Sequence, residues 1–157
     1  MMITTADQLH EKYTDQVDNG IYPDDPKVPL PTAFVNEVGE IQNILLKPCS
    51  SVTVLKSRKG KTRANHYHKE DWHYAYVTKG AVLYFERAIG STEIPEPRLF
   101  LPGEMFFTPP LREHCMLFAE ESEIITMAKR VRNHAEHEAD VVRVSFITPE
   151  IASRFVK

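Results

Sequence analysis

The chain has 157 residues, 19 basic and 22 acidic, with a formal net charge of −3. Such a balance gives no basic stripe for nucleic acid, and no apolar run approaches the roughly 20 residues that a membrane-spanning helix needs. The N-terminus shows no charged segment followed by an apolar one, and the two cysteines, Cys49 and Cys115, make no disulfide framework, so a cytoplasmic protein of one domain is expected.

A short helix is predicted over residues 4–13. Thr5 and Gln8 have capping-box spacing, and Leu9 and Tyr13 share a face. Residues 20–32 carry Gly20, Pro23, Pro26, Pro29 and Pro31, which suits an extended arm over this barrel or a neighbouring subunit. We therefore divide the chain into an N-terminal helix and arm, 1–32, and a barrel, 33–157. Strands are predicted at 33–38, 41–47, 51–57, 62–68, 72–78, 81–87, 98–101, 104–108, 113–119, 123–130 and 140–147. Turn signals fall at Ser57–Lys61, Thr78–Gly80, Gly90–Pro97 and Leu101–Glu104. Thr148 followed by Pro149 predicts a short closing helix over 149–156. Many short strands with little helix specify an all-β sandwich or barrel.

The densest chemistry lies between Gly60 and Gly80, where His66, His68 and His73 fall within eight residues, and His114 follows in the segment Gly103–His114. Side chains alternate along a strand, so His66 and His68 share a face. His73 would arrive from the next strand and His114 from one distant in sequence. Four neutral imidazoles can then converge on one divalent transition metal: Zn, Fe, Mn, Co, Ni or Cu. Glu70 or Asp71 would replace or support a ligand.

These segments resemble the two motifs of the cupins. The first runs Gly, five residues, His-x-His, three or four residues, Glu, six residues, Gly; here Gly60, His66, His68 and Gly80 match, with His73 in the place of Glu. The second runs Gly, five residues, Pro-x-Gly, two residues, His, three residues, Asn; Gly103, Pro109 and His114 match, while Leu111 and Phe118 replace the second Gly and the Asn. The resemblance covers roughly residues 34–148. It implies a double-stranded β-helix, or jelly-roll barrel, with the site in its mouth and short helices at both ends of the chain. Four neutral ligands in place of three His and one Glu would leave a more Lewis-acidic ion.

A finer resemblance lies in Arg63-Ala-Asn65-His66-Tyr67-His68. It is similar to the sugar-nucleotide cupins, which include dTDP-4-keto-sugar isomerases and 3,5-epimerases and capsule-synthesis proteins with Arg-Gly-Asn-His-Tyr-His. The resemblance implies an isomerase or epimerase on a carbohydrate or sugar-nucleotide-like substrate. In several of those enzymes there is no metal and a histidine is the base. His66 and His68 would then act as base, Tyr67 or Tyr74 as donor to the enolate, and Arg63 or Lys69 as diphosphate contact. Asn36-Glu-Val-Gly39 is the nearest equivalent of the epimerases' Asp-x-Arg-Gly, and it lacks the arginine. Two other classes are compatible with the motifs: an Fe-dependent dioxygenase, and a non-enzymatic ligand-binding or sensory barrel. The expected partners are a small-molecule substrate and a second copy in a homodimer.

The other notable residues have plainer readings. His134 and His137 are expected in a solvated loop that could serve as a lid or dimer contact, and His10 on a helix surface. Cys115 should face away from the site, with Met116 and Phe118 on the face of His114 and Ala75 and Val77 on that of His73. Tyr84, Phe85, Phe106 and Phe107 are read as barrel packing. Trp72 and Tyr74 are expected to point outward, toward a dimer interface.

Overall fold

The computed structural model describes residues 4–157. They form two compact units that divide after Pro48.

In the first unit, α1 (Ala6–Asp18) starts at the predicted cap. Thr5 Oγ1 accepts the Gln8 N–H at 3.1 Å, and the Gln8 side chain accepts the Thr5 N–H at 2.8 Å. The helix runs five residues past its expected end, to a cap at Asn19 and Gly20 with φ +74°. Its inner face ties down the proline-rich segment. His10 Nδ1–H donates to the Pro29 carbonyl (2.8 Å) and the Tyr13 hydroxyl to that of Asp25 (2.8 Å). His10 is therefore buried, at 1% exposure, and not the surface residue the sequence suggests. Carbonyls in a proline-rich run have few ladder partners, and side-chain donors satisfy them. A two-stranded hairpin follows, β1 (Phe34–Asn36) and β2 (Gly39–Ile41), with Phe34, Val35, Val38 and Ile41 all exposed. The strand expected over 41–47 does not form: β2 ends at Ile41, and residues 42–47 are in no strand.

The second unit is the barrel. Eight strands lead it: β3 (Ser51–Ser57), β4 (Thr62–His68), β5 (His73–Lys79), β6 (Val82–Ala88), β7 (Arg98–Phe100), β8 (Met105–Thr108), β9 (Arg112–Phe118) and β10 (Ser122–Ala128). They pair antiparallel in nested fashion, β6 with β7, β5 with β8, β4 with β9 and β3 with β10. This nesting is the jelly-roll signature. It yields one sheet ordered β3-β10-β5-β8 and a second ordered β4-β9-β6-β7. After β10 the chain forms α2 (His134–Asp140), then β11 (Val141–Arg143) on the free edge of β4, then α3 (Pro149–Ala152), capped by Thr148.

Between the sheets lie Ala75, Val77, Val82, Tyr84, Phe100, Phe106, Met116, Phe118 and Ile124. Cys115, Phe85 and Leu117 pack on the opposite side with Phe146, Ile147 and Ala152, as strand parity requires. Burial drives the Cys115 thiol up to about 12, which leaves it inert at neutral pH. Trp72 and Tyr74 correct the outward reading. They are 4% and 0% exposed and pack with Phe107, the Tyr74 and Phe107 ring centroids 4.9 Å apart. Tyr74 does leave the face of His73, but aromatic packing covers it.

Candidate functional site

The site begins with a distortion of β4. Ala64 and Asn65 have φ of +71° and +57°, and the pairing with β9 shifts register between Ala64 and His66. Such a bulge re-aims the next side chains. Asn65 secures it: its side chain donates to the Ile147 carbonyl and accepts the Ile147 N–H, each at 3.0 Å. Beyond the bulge, His66 lies opposite His114 on β9 and opposite Arg143 on β11, and His114 lies opposite Glu86 on β6. Directly opposed residues share a face, so Arg143, His66, His114 and Glu86 form one polar row across the sheet. From the facing sheet, β5 brings His73, with Thr108 opposite on β8.

His66, His68, His73 and His114 are all buried. One nitrogen from each of His66, His68 and His114 lies within 4.8 Å of the other two. The His73 ring stands 5.7 Å, centroid to centroid, from those of His68 and His114. His66 Nδ1 and the Nε2 atoms of His68, His73 and His114 are buried with no hydrogen-bond partner among the described residues.

The opposite ring nitrogens fix the tautomers. His68 Nδ1–H donates to Asp140 Oδ2 (3.1 Å), and His114 Nδ1–H donates to the Arg112 carbonyl (3.1 Å). Each Nδ1 faces an oxygen that serves as acceptor, so both rings carry their proton on Nδ1 and offer a bare lone pair at Nε2. Asp140 also accepts the N–H groups of Glu70 (2.9 Å) and Asp71 (3.3 Å), which rigidifies its carboxylate. Burial, then the neighbouring His114, His68 and His137 rings and Arg143, push His66 down to about 2. Burial, His114, Arg132 and His137 push His68 to about 2. Burial dominates at His114, which the Arg112 carbonyl partly restores, leaving it at about 4. His73 is held well below its ordinary value by burial and then Arg132. All four rings are neutral at pH 7, the form in which imidazole binds metals.

Three contributors were not legible in the sequence. Asp140 and His137 come from α2, where a solvated loop was expected. Asn133 caps this helix by accepting the Glu136 N–H at 3.0 Å. His137 is half-buried, with its ring centroid 5.9 Å from that of His66 and 5.7 Å from that of His68. His134, in contrast, is exposed. Arg132 precedes the helix; it donates through Nη2 to His73 Nδ1 (3.0 Å) and through Nε to Asp71 Oδ2 (3.3 Å). The three-residue spacing of His134 and His137, and Asn133 followed three residues later by Glu136, were signals that could have pointed to α2.

Other expected site residues lie elsewhere. Tyr67 falls between His66 and His68 on a regular stretch of β4, so it faces away from them. Arg63 donates to Ser57 Oγ (2.6 Å) and the Lys56 carbonyl (3.0 Å), at the β3 end of the strand. Lys69 is exposed and donates to the Ala139 carbonyl (3.2 Å). Asp71 is buried beside His68 and Asp140, its carboxyl raised by burial against the pull of Arg132, whereas Glu70 is exposed and paired with Arg130.

No sequence-family model matches the chain, and no curated protein is similar to it. Solved structures do match. A sugar 3,4-ketoisomerase from Thermoanaerobacterium thermosaccharolyticum, in complex with TDP, is 18% identical with a TM-score of 0.56, over 80% of this chain and 93% of that one. A 3,4-ketoisomerase from Helicobacter canadensis is 12% identical with a TM-score of 0.59, over 78% and 92%. The RmlC epimerase of Mycobacterium tuberculosis is 15% identical with a TM-score of 0.61, over 78% and 70%. The chain therefore shares the RmlC-like jelly-roll fold of these enzymes.

Proposed function

We propose that this chain is an isomerase- or epimerase-type enzyme acting on a sugar nucleotide, with one divalent transition metal held by His66, His68 and His114. The observation that carries the reading is that buried His66, His68 and His114 each bring a ring nitrogen within 4.8 Å of the other two, and that each ring has a nitrogen with no hydrogen-bond partner among the described residues. Two of those rings have their second nitrogen fixed by an acceptor, which is how protein metal ligands are oriented. An all-imidazole donor set suits Zn, Fe, Co, Ni or Cu better than Mg or Ca. When bound, the ion would supply Lewis acidity to a carbonyl oxygen.

The chain's own groups provide the rest. Arg143 shares the face of His66 and Arg112 that of His114, so two guanidinium groups border the site where a diphosphate would bind. Tyr84, Phe106 and Met116 form the apolar floor that excludes water. His137 is lowered by partial burial and then by Arg132, stays neutral at pH 7, and would accept the proton α to the ketone. Support for the substrate class comes from the fold shared with a sugar 3,4-ketoisomerase solved with TDP and with the RmlC epimerase.

The test is solvent deuterium incorporation into TDP-4-keto-6-deoxyglucose. Label beside the ketone, lost on chelation, is the expected result, and no exchange across a panel of keto-sugar nucleotides would refute the reaction class. A second reading is favoured by the buried His68–Asp140 pair, which would orient His68 Nε2 equally well as a metal-free base. Exchange that survives chelation would select it.

A homodimer completes the reading. Among the described residues β3 is an unpaired edge of its sheet, and it exposes Val52 and Val54, an apolar strip that a second copy packed against that end of the sheet would cover.

A further inference from the structure

His73 differs from the other three histidines in the group that faces its Nδ1. Arg132 Nη2 lies 3.0 Å from that atom. A guanidinium has five N–H donors and no acceptor, so the contact exists only if His73 Nδ1 carries a lone pair. The ring is then neutral with its proton on Nε2, the reverse of His68 and His114. Nε2 is buried, without a partner among the described residues, and His73 is 3% exposed. It lies on the face of β5 that continues through Ala75 and Val77 into the core between the sheets, which turns the ring toward His68 and His114. Arg132 is itself fixed: it is 16% exposed and its Nε donates to Asp71 Oδ2.

We infer that His73 is a hydrogen-bond donor and not a metal ligand, presenting Nε2–H to an oxygen bound among the histidines, with Arg132 as the positioning residue that sets this tautomer. The oxygen is of carbonyl or enolate type, so the inference deepens the function proposed above and rests on it for the identity of the acceptor. A donor already aimed at an oxygen that gains charge stabilises it without reorganisation. The departure of this chain from the cupin motif at position 73 is then a change of role. Where the family pattern has a ligating carboxylate, this chain has a fixed donor, and the ion keeps three protein ligands with positions open to substrate.

The experiment is nitrogen-detected NMR of the full chain labelled with 15N-histidine, before and after addition of zinc alone. Before zinc, His73 should show a proton on Nε2 and none on Nδ1, while His68 and His114 show the opposite. On zinc addition the signals of His66, His68 and His114 should move to coordinated positions, and His73 should keep its Nε2–H coupling. A proton on His73 Nδ1, or loss of the Nε2–H coupling with zinc, would overturn the inference. If zinc moves none of the four rings, the metal reading fails, and the tautomer of His73 in the same spectrum still decides this one. Arg132→Met should mix the two His73 tautomers and Arg132→Lys, which keeps a donor, should restore the single form. A pure Nε2–H tautomer in Arg132→Met would remove Arg132 from the proposal.

Discussion

Two residues hold left-handed backbone conformations at positions where the motifs they resemble carry glycine. Leu111 has φ +61° and stands where the cupin pattern has glycine, and Ala64, at φ +71°, stands where the related Arg-Gly-Asn-His-Tyr-His sequence has it. The turn survives at Leu111 because its N–H reaches the His68 carbonyl at 2.7 Å. Its side chain is exposed and contributes little packing. Leu111→Gly should therefore stabilise the protein by about 1 kcal/mol, measured by chemical denaturation, since the left-handed region costs a residue with Cβ about 1–2 kcal/mol. Asp140 has a different kind of role. Asp140→Asn should weaken metal binding by about 10–100-fold in a competition titration, by loosening the orientation of His68. His66, His68 and His114 were readable because motif spacing and strand parity act locally. Asp140 and Arg132 were not, since 72 residues separate Asp140 from the ring it meets.

At the scale of elements, two short pieces carry more than their length suggests. The Ala64–Asn65 bulge sets the aim of β4, and the Asn65 side chain binds both the backbone N–H and the carbonyl of Ile147. Asn65→Ala should cost about 2–4 kcal/mol by denaturation, since it strands two partly buried backbone groups. α2 is the other piece. With seven residues, it depends on its Asn133 cap and on what it packs against, since helices this short are marginal alone. Its sequence reads as a charged loop because just one turn faces inward, too little for a periodic signal. The strands from Ser51 to Ala128, each with a clear alternating pattern or a turn at its end, fall within two residues of their expected bounds. The expected strand over 140–147 shrinks to Val141–Arg143, where Ser145, at φ +46°, soon turns the chain.

For the whole molecule, the buried histidines make stability depend on pH. Their folded-state values are depressed below 6.5, so the unfolded chain binds protons that the folded chain refuses. Stability is full above pH 6.5 and falls as the pH drops below it. Each such ring contributes a loss of about 1.4 kcal/mol per pH unit until its own folded value is reached. The His114 contribution ends near pH 4, and those of His66 and His68 continue toward 2. A melting series of metal-free protein from pH 7 to 4 should show a steep fall, while a flat profile would mean the rings are not buried as neutral species. The nested pairing of eight strands was legible in outline from the spacing of turns and the histidine motifs. The edge left open at β3 was not, because Val52 and Val54 alternate as core-facing residues would. If that edge joins two copies, Val54→Lys should yield a monomer by sedimentation.

The central claim is that His66, His68 and His114 meet around one ion. Its most direct measurement is the metal content of protein purified without added metal, wild type beside His114→Ala. The account predicts one transition metal per chain in the wild type and a substoichiometric amount in the variant. A wild-type protein that holds no metal even after incubation with zinc, or a variant that keeps the full amount, would contradict it.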